Sequence, residues 1–363
     1  MKNLKLFSFL LMCIAVLTLS CEGPAGPSGS DGVDGLNGSD GTDGVDGNIT
    51  CLVCHSGDNM QSIKEQFFQS VHSAGQIAVD YAGGRSSCAQ CHSSEGFIEW
   101  AHNGTVEENI ANPSPWECTT CHGLHSSFEA TDYALRADDP VEFIFDPTVV
   151  ADFGNSNLCS NCHQSRRAEP NITNPGETFT ITSTHYGPHH GAQSNVLYGA
   201  GFAEVAGSVS DPTAGGSNHM AEAGRCTGCH MDTYDGGQGG HTFNPAVSSC
   251  NTCHGTTEED FNYGGVQTTV HAQLEELRDL LLGLGVIEQG VEEVYELNPE
   301  TGDIELVVYT EGYLPVKGTY PMIQAQAFFN WVGLEEDRSL GVHNPKYVKA
   351  LLTNTIEALT AAQ

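Results

Sequence analysis

Within 30 residues, the stretch from Arg225 to His254 reads Arg-Cys226-Thr-Gly-Cys229-His230, then Gly239-Gly-His241-Thr-Phe-Asn-Pro245, then Cys250-Asn-Thr-Cys253-His254. Two Cys-x-x-Cys-His runs frame a third histidine on a glycine-rich loop. The same run stands at four further places: Cys51-Leu-Val-Cys54-His55, Cys88-Ala-Gln-Cys91-His92, Cys118-Thr-Thr-Cys121-His122 and Cys159-Ser-Asn-Cys162-His163. Twelve of the 14 cysteines therefore fall in pairs, and a histidine follows every pair. Each run reads as a c-type haem attachment site. The two thiols add to the porphyrin vinyl groups as thioethers, and the adjacent histidine is held under the iron as proximal ligand. Six covalently bound haem c groups are the expected cofactors. Their proximal ligands are then His55, His92, His122, His163, His230 and His254.

Other uses of paired cysteines fit less well. Zinc ribbons employ Cys-x-x-Cys but have no need of a histidine after each pair. With 16 histidines in 363 residues, six such coincidences have a chance of about 1 in 10^8, so the count decides for haem. A redox dithiol calls for one or two exposed motifs beside a βαβ pattern. A disulfide framework would leave the six histidines without a purpose.

The composition agrees. The chain has 13 Lys+Arg against 46 Asp+Glu, a formal net charge of −33, which repels phosphate backbones and excludes a nucleic-acid partner. Only 39% of residues are hydrophobic and 42 are glycine. Side-chain burial alone would hold such a chain together poorly, so the cofactors are expected to supply much of the core.

The two remaining cysteines lie at the N-terminus. Lys2 and Lys5 precede an apolar run from Leu6 to Leu19 that is too short to span a bilayer and reads as a secretory signal. Cys13 leaves with it. Cys21 follows Thr18-Leu19-Ser20 and is expected to become the lipidated first residue, a membrane anchor. Glycine then recurs at strict period three from Gly23 to Gly47, the collagen pattern, with Pro24 and Pro27 as its prolines. So few prolines favour a flexible acidic spacer, with a trimeric stalk as the sharper alternative.

Ten histidines remain once the proximal six are set aside, enough to cap six irons on the far side. Position ranks them. His125 follows His122 too closely to reach the opposite face of the same haem, so it would serve a neighbour. His219 precedes Cys226, and His241 precedes Cys250, on glycine-rich loops that can fold back. His72 lies between the first two attachment runs. His343 opens the last helix in Gly341-Val-His343-Asn-Pro345. The run Thr184-His185-Tyr-Gly-Pro-His189-His190-Gly191 offers three candidates, of which His189 is preferred and His185 and His190 are alternates. His102 and His271 have no such setting and are expected to be structural.

Together, the Cys-x-x-Cys-His runs, Gly-Pro-His189-His190-Gly, Gly239-Gly-His241-Thr-Phe-Asn-Pro and Gly-Val-His343-Asn-Pro-Lys-Tyr resemble bacterial multihaem cytochromes c, over roughly residues 50–363. The resemblance implies periplasmic or cell-surface bis-histidine electron carriers, among whose relatives are multihaem reductases and cytochromes that polymerise outside the cell. It also implies distal ligation by His189, His241 and His343. A lipid anchor followed by a collagen-like segment is not a usual part of that pattern.

The expected organisation is a signal peptide at 1–20, the lipidated cysteine and spacer at 21–49, a hexahaem-binding domain at 50–260, and a C-terminal helical segment with a hairpin at 261–363. The attachment runs have no fixed period, which argues against a repeat array. The expected fold is mainly α with extensive loops and little β, a cofactor-cored multihaem cytochrome c fold. Helices are expected over Ala272–Leu284, Pro321–Val332 and Pro345–Ala362, and a hairpin over Tyr295–Tyr309, turning at Pro299 and Gly302. The C-terminal segment is expected to pack on the haem domain and supply a distal ligand.

Irons capped on both sides by imidazole have no open position for substrate, which points to electron transfer rather than catalysis. The expected partners are redox cytochromes or an extracellular acceptor, together with the membrane through the lipid anchor; a homotrimer or a filament is the self-association alternative. The rival function is a multihaem reductase of nitrite, hydroxylamine or a sulfur oxyanion. It would keep one iron five-coordinate, with His185 and His190 for acid–base work.

Overall fold

Val266, Val270, Leu274, Leu277 and Leu281 recur every three or four positions and are all buried, the stripe that makes Val266–Gly283 a core helix. The structure, a computed structural model, describes residues 58–124, 134–221, 224–255, 260–297 and 304–363, with no side chain described at 58–59 or 292–311. These residues belong to one compact unit, Asn48–Gln363. The expected attachment run at 51–55, Cys21 and His125 lie outside the described residues.

In chain order the main helices are α1 (Asp58–Phe68), α2 (Ser86–His92), α3 (Ser94–Asn103), α4 (Cys118–Cys121), α5 (Asn157–Ser160), α6 (Gln193–Tyr198), α7 (Arg225–His230), α8 (Ser248–His254), α9 (Val266–Gly283), α10 (Met322–Asp337) and α11 (Pro345–Ala361). The strands used below are β1 (Thr178–Ile181), β2 (Ile287–Leu297), β3 (Ile304–Pro315) and β4 (Gly318–Pro321). The described chain is thus helix-rich with a few small strands. No described helix is long and apolar enough to cross a membrane.

The apolar core gathers where α9, α10 and α11 pack. Phe328, Phe329, Leu334, Tyr347, Leu351 and Leu352 meet the stripe of α9 there. Each fully buried side chain of this size contributes roughly 1.5–3 kcal/mol. A smaller cluster joins Val141, Phe143, Ala151, Phe153, Leu197 and Met220. Neither cluster draws on residues 58–124, which carry two attachment runs. The chain's own apolar packing is therefore concentrated away from the first described runs.

Three connections bind the C-terminal helices to the rest. Strand β1 pairs antiparallel with β4, Thr178 opposite Pro321 and Ile181 opposite Gly318. On α10, buried Asn330 accepts from the Ala203 N–H at 2.8 Å and donates to the Ala203 carbonyl at 2.8 Å. On α11, Asn354 does the same to Val209, at 3.0 and 2.8 Å. A side-chain amide that satisfies both backbone groups of one loop residue replaces the missing sheet or helix partner. Gly207 is required beside this second clamp, because a Cβ there would sit 2.4 Å from Asn354 Oδ1.

The helix limits differ from the sequence expectation in ways that have local causes. Helix α9 begins at Val266 rather than Ala272, because its apolar stripe starts there. Pro321 closes strand β4 at φ −50°, ψ 141° and caps α10 from outside instead of opening its first turn. Pro345 does occupy the first turn of α11, and the Asn344 side chain accepts from the Tyr347 N–H. Strands β2 and β3 pair antiparallel from Ile287–Pro315 to Leu297–Ile304, with a register shift between Val294 and Tyr295. They begin and end beyond the expected hairpin, whose turn lies outside the described residues.

Candidate metal centres

A helical turn places the two cysteines of each run three positions apart on one face, with the histidine one position further. The chain builds such a turn at every described run. Helix α2 carries Cys88, Cys91 and His92 and ends at Ser93, whose Oγ accepts from the Gly96 N–H and so starts α3. The two helices meet so closely that a Cβ at Gly96 would lie 2.4 Å from the Ala89 carbonyl oxygen. Helix α4 is started by Thr120, whose Oγ1 accepts from the Glu117 N–H at 2.8 Å. Helix α5 holds Cys159, with Cys162 and His163 in the turn that follows it, where both N–H groups donate to the Cys159 carbonyl, and α7 and α8 hold the runs at 226 and 250.

Opposite the histidine of each described Cys-x-x-Cys-His run stands another imidazole. His92 faces His189 with ring centroids 6.0 Å apart, His122 faces His241 at 6.4 Å, and His163 faces His72 at 6.1 Å. His230 faces His343 at 6.3 Å and His254 faces His219 at 6.3 Å. Two imidazoles bound on opposite sides of one metal, at about 2 Å per bond, hold their centroids roughly 6 to 6.5 Å apart. All five pairs fall in that window. Each pair also spans at least one other attachment run in sequence, so the centres interlock the chain.

The second ring nitrogen is engaged in several of these pairs. His230 Nδ1 bonds the Phe243 carbonyl at 2.8 Å and His219 Nδ1 the Val342 carbonyl at 2.7 Å. His163 Nδ1 meets Gln193 Oε1 at 3.1 Å, and His343 Nδ1 meets Asp337 Oδ1 at 2.7 Å. An acceptor at Nδ1 fixes the tautomer that leaves Nε2 unprotonated and turned toward the partner ring. Burial pulls His72 down to about 4, with His163 and His230 adding to the effect. Burial likewise brings His189 to about 4, helped by His190 and Arg166. Both are thereby neutral, the form that binds metal. In His343 burial also acts downward, but the Asp337 carboxylate outweighs it and the net shift is upward.

Neighbouring runs touch. Cys91 and Cys162 are in side-chain hydrogen-bond contact, and their sulfurs reach the Asn161 and Gln90 carbonyls at 3.7 and 3.8 Å. Cys159 bonds Cys226 in the same way, and the Ser156 Oγ accepts from the Thr227 N–H at 3.1 Å. Cys121 lies within electrostatic reach of Cys159 and Cys162, and Cys229 of Cys250 and Cys253. The run at 159 thus sits beside those at 88, 118 and 226. Nearness follows the fold here, not sequence order alone.

Among the remaining histidines, His190 ion-pairs with Glu336 at 3.1 Å and is exposed. His185, His102 and His271 are exposed as well, and His271 lies 3.6 Å from Glu275. None of these four faces a proximal ring among the described residues. Sequence reasoning did not single out Asp337, Gln193 or Phe243. Asp337 stands in Glu335-Glu-Asp-Arg338, which reads as a solvated face, and the Phe243 contribution is a backbone carbonyl with no side-chain signature.

The donor set fits haem. Among the described residues no three His, Cys, Asp or Glu side chains converge on one metal position. The donors come as opposed imidazole pairs, which suits a metal whose other four ligands a macrocycle supplies, with two cysteines one turn away to tether it.

No protein-family model matches the chain. It is 25% identical over 311 residues to the C-type polyheme cytochrome OmcB of Geobacter sulfurreducens, in each of two strains, with 74% of this chain and 37% of the relative covered. The chain therefore spans little more than a third of the length of the curated relatives it matches. The crystal structure of the outer cell wall cytochrome OcwA superposes with a TM-score of 0.48 at 17% identity, covering 81% of this chain and 49% of that one. The similarity to OmcB supports a multihaem c-type cytochrome.

Proposed function

We propose that this chain is an exported, lipid-anchored hexahaem c-type cytochrome that carries electrons along bis-histidine haems to or from an extracellular acceptor or redox partner. One observation carries the reading: five opposed imidazole pairs at 6.0–6.4 Å, each combining a Cys-x-x-Cys-His histidine with a histidine from elsewhere in the chain. Bound haem supplies a one-electron ferric/ferrous couple. The residues do the rest. His92, His122, His163, His230 and His254 are the proximal ligands, and His189, His241, His72, His343 and His219 the distal ones. The ligand set leaves His55 and His125 for the sixth haem. Imidazole on both sides leaves no coordination position for a substrate, which favours a carrier over a reductase. The contacts of Cys91 with Cys162 and of Cys159 with Cys226 keep the tethering points of three haems together, as a chain of exchanging centres needs.

The N-terminal signal, Cys21 and the Gly-x-y spacer extend the proposal to a haem domain held off the membrane by a flexible acidic tether. Electron paramagnetic resonance of the oxidised full chain tests the reading. Low-spin ferric signals accounting for all the iron are expected. A high-spin signal from a sixth of the iron or more would favour the reductase instead.

A further inference from the structure

The pair His230–His343 has a carboxylate behind one ring, where the acceptors behind His163 and His219 are neutral. His343 Nδ1 is 2.7 Å from Asp337 Oδ1, and the Asp337 side chain is 1% exposed. Its other oxygen accepts from the Ser339 hydroxyl, and Ser339 is tied in turn by the His343 N–H to its Oγ and by Gln267 to its carbonyl. Among the described residues no lysine or arginine meets this carboxylate. The acceptors behind His219, His230 and His163 are a carbonyl, a carbonyl and an amide, all neutral. A buried carboxylate is the stronger acceptor and draws the Nδ1 proton toward itself. The imidazole then gives more electron density to its metal, and ferric iron gains over ferrous.

We propose that Asp337 is a positioning residue that makes His343 an electron-rich ligand and lowers the reduction potential of the haem held between His230 and His343. The inference rests on the haem reading above and deepens it. It gives one centre a built-in bias toward the oxidised state, so that electrons arriving there pass on to its neighbours. Cysteine contacts and electrostatics link this run to those at 159 and 250.

The test is potentiometric titration with low-temperature paramagnetic resonance on the full haem-loaded chain. Asp337→Asn keeps an oxygen acceptor but removes the charge. One midpoint potential should rise by about 59 mV, a tenfold shift in a one-electron equilibrium, while the others stay in place. The low-spin signal of a single centre should move with it. Asp337→Glu should restore part of the shift. Unchanged potentials with full haem content would make Asp337 merely structural and overturn the proposal. Should Asp337→Asn fail to fold, Ser339→Ala serves instead. It removes a neutral donor, makes the carboxylate a stronger acceptor and should move the same potential down; no movement overturns the proposal. Absence of covalent haem from the parent protein would instead overturn the haem reading itself, and this inference with it.

Discussion

Replacing His241 with alanine removes the imidazole opposite His122 and little else. The His241 side chain has His122 and Phe243 as its ring neighbours among the described residues, so no second described histidine is at hand to take its place. The loop keeps its anchor, because the residue's main-chain N–H, at 3.0 Å from Gln66 Oε1, survives the substitution. The Thr242 hydroxyl bond to the Gly239 carbonyl also remains. The haem at Cys118–Cys121 should therefore stay attached and turn five-coordinate. With six attachment runs, about one sixth of the iron should become high-spin and the rest should stay low-spin. Paramagnetic resonance and visible absorption of the oxidised variant read this directly, with haem content measured on the same sample. Added free imidazole should enter the gap and return the lost sixth to low spin. An unchanged spectrum at full haem content would refute the pairing of His122 with His241. High-spin iron at more than one centre would refute the independence of the pairs.

Other perturbations follow from the same geometry. Asn330→Ala strips the Ala203 N–H of its buried partner and leaves the Ala203 carbonyl with the Val205 N–H alone, so denaturant unfolding should show a loss of roughly 1–3 kcal/mol, with less than about 0.5 kcal/mol arguing against the clamp. Gly96→Ala drives a methyl into the Ala89 backbone and should destabilise by about 1–3 kcal/mol while disturbing the His92–His189 centre first, visible as one altered low-spin signal. His190→Ala removes an exposed ion pair with Glu336, and the spectrum of the oxidised protein should not change, whereas a new high-spin signal would make His190 a ligand. Burial raises Glu95, but hydrogen bonds from the Ser114 hydroxyl and N–H at 2.6 and 2.8 Å outweigh it and hold its carboxyl below 4.5. A depressed carboxylate stabilises the fold above its unfolded value and loses that effect as pH falls through the folded one. Protection of the Ser114 amide, its exchange rate divided into the intrinsic rate at each pH, should accordingly fall below about pH 4.5 in the parent and stay level over that range in Glu95→Gln; the same protection profile in both would count against the contact.

Much of the candidate site was legible because its chemistry leaves a linear mark. Cysteines three apart with histidine next can be read without a fold, and the rarity of histidine makes its surplus informative. His189, His241 and His343 stand in short motifs, while His72 and His219 could be ranked only by their place between runs. Which ring faces which could not be read, since His92 and His189 are separated by two further runs and meet only because the fold brings them together. The same holds for Asp337: an acidic residue in an acidic stretch carries no signal until the turn after α10 buries it behind His343. In the fold, the leucine stripe of α9 and the Pro345 start of α11 were local and readable. The pairing of β1 with β4 and the asparagine clamps on Ala203 and Val209 were not, because each depends on two segments more than 120 positions apart meeting at one edge.

The whole account turns on haem at every Cys-x-x-Cys-His run. A pyridine haemochrome assay against protein concentration, paired with the intact mass of the purified chain, counts covalent haem directly. Six per chain is the result that the reading predicts; a colourless protein, or thiols that remain free and alkylatable at the described runs, would contradict it.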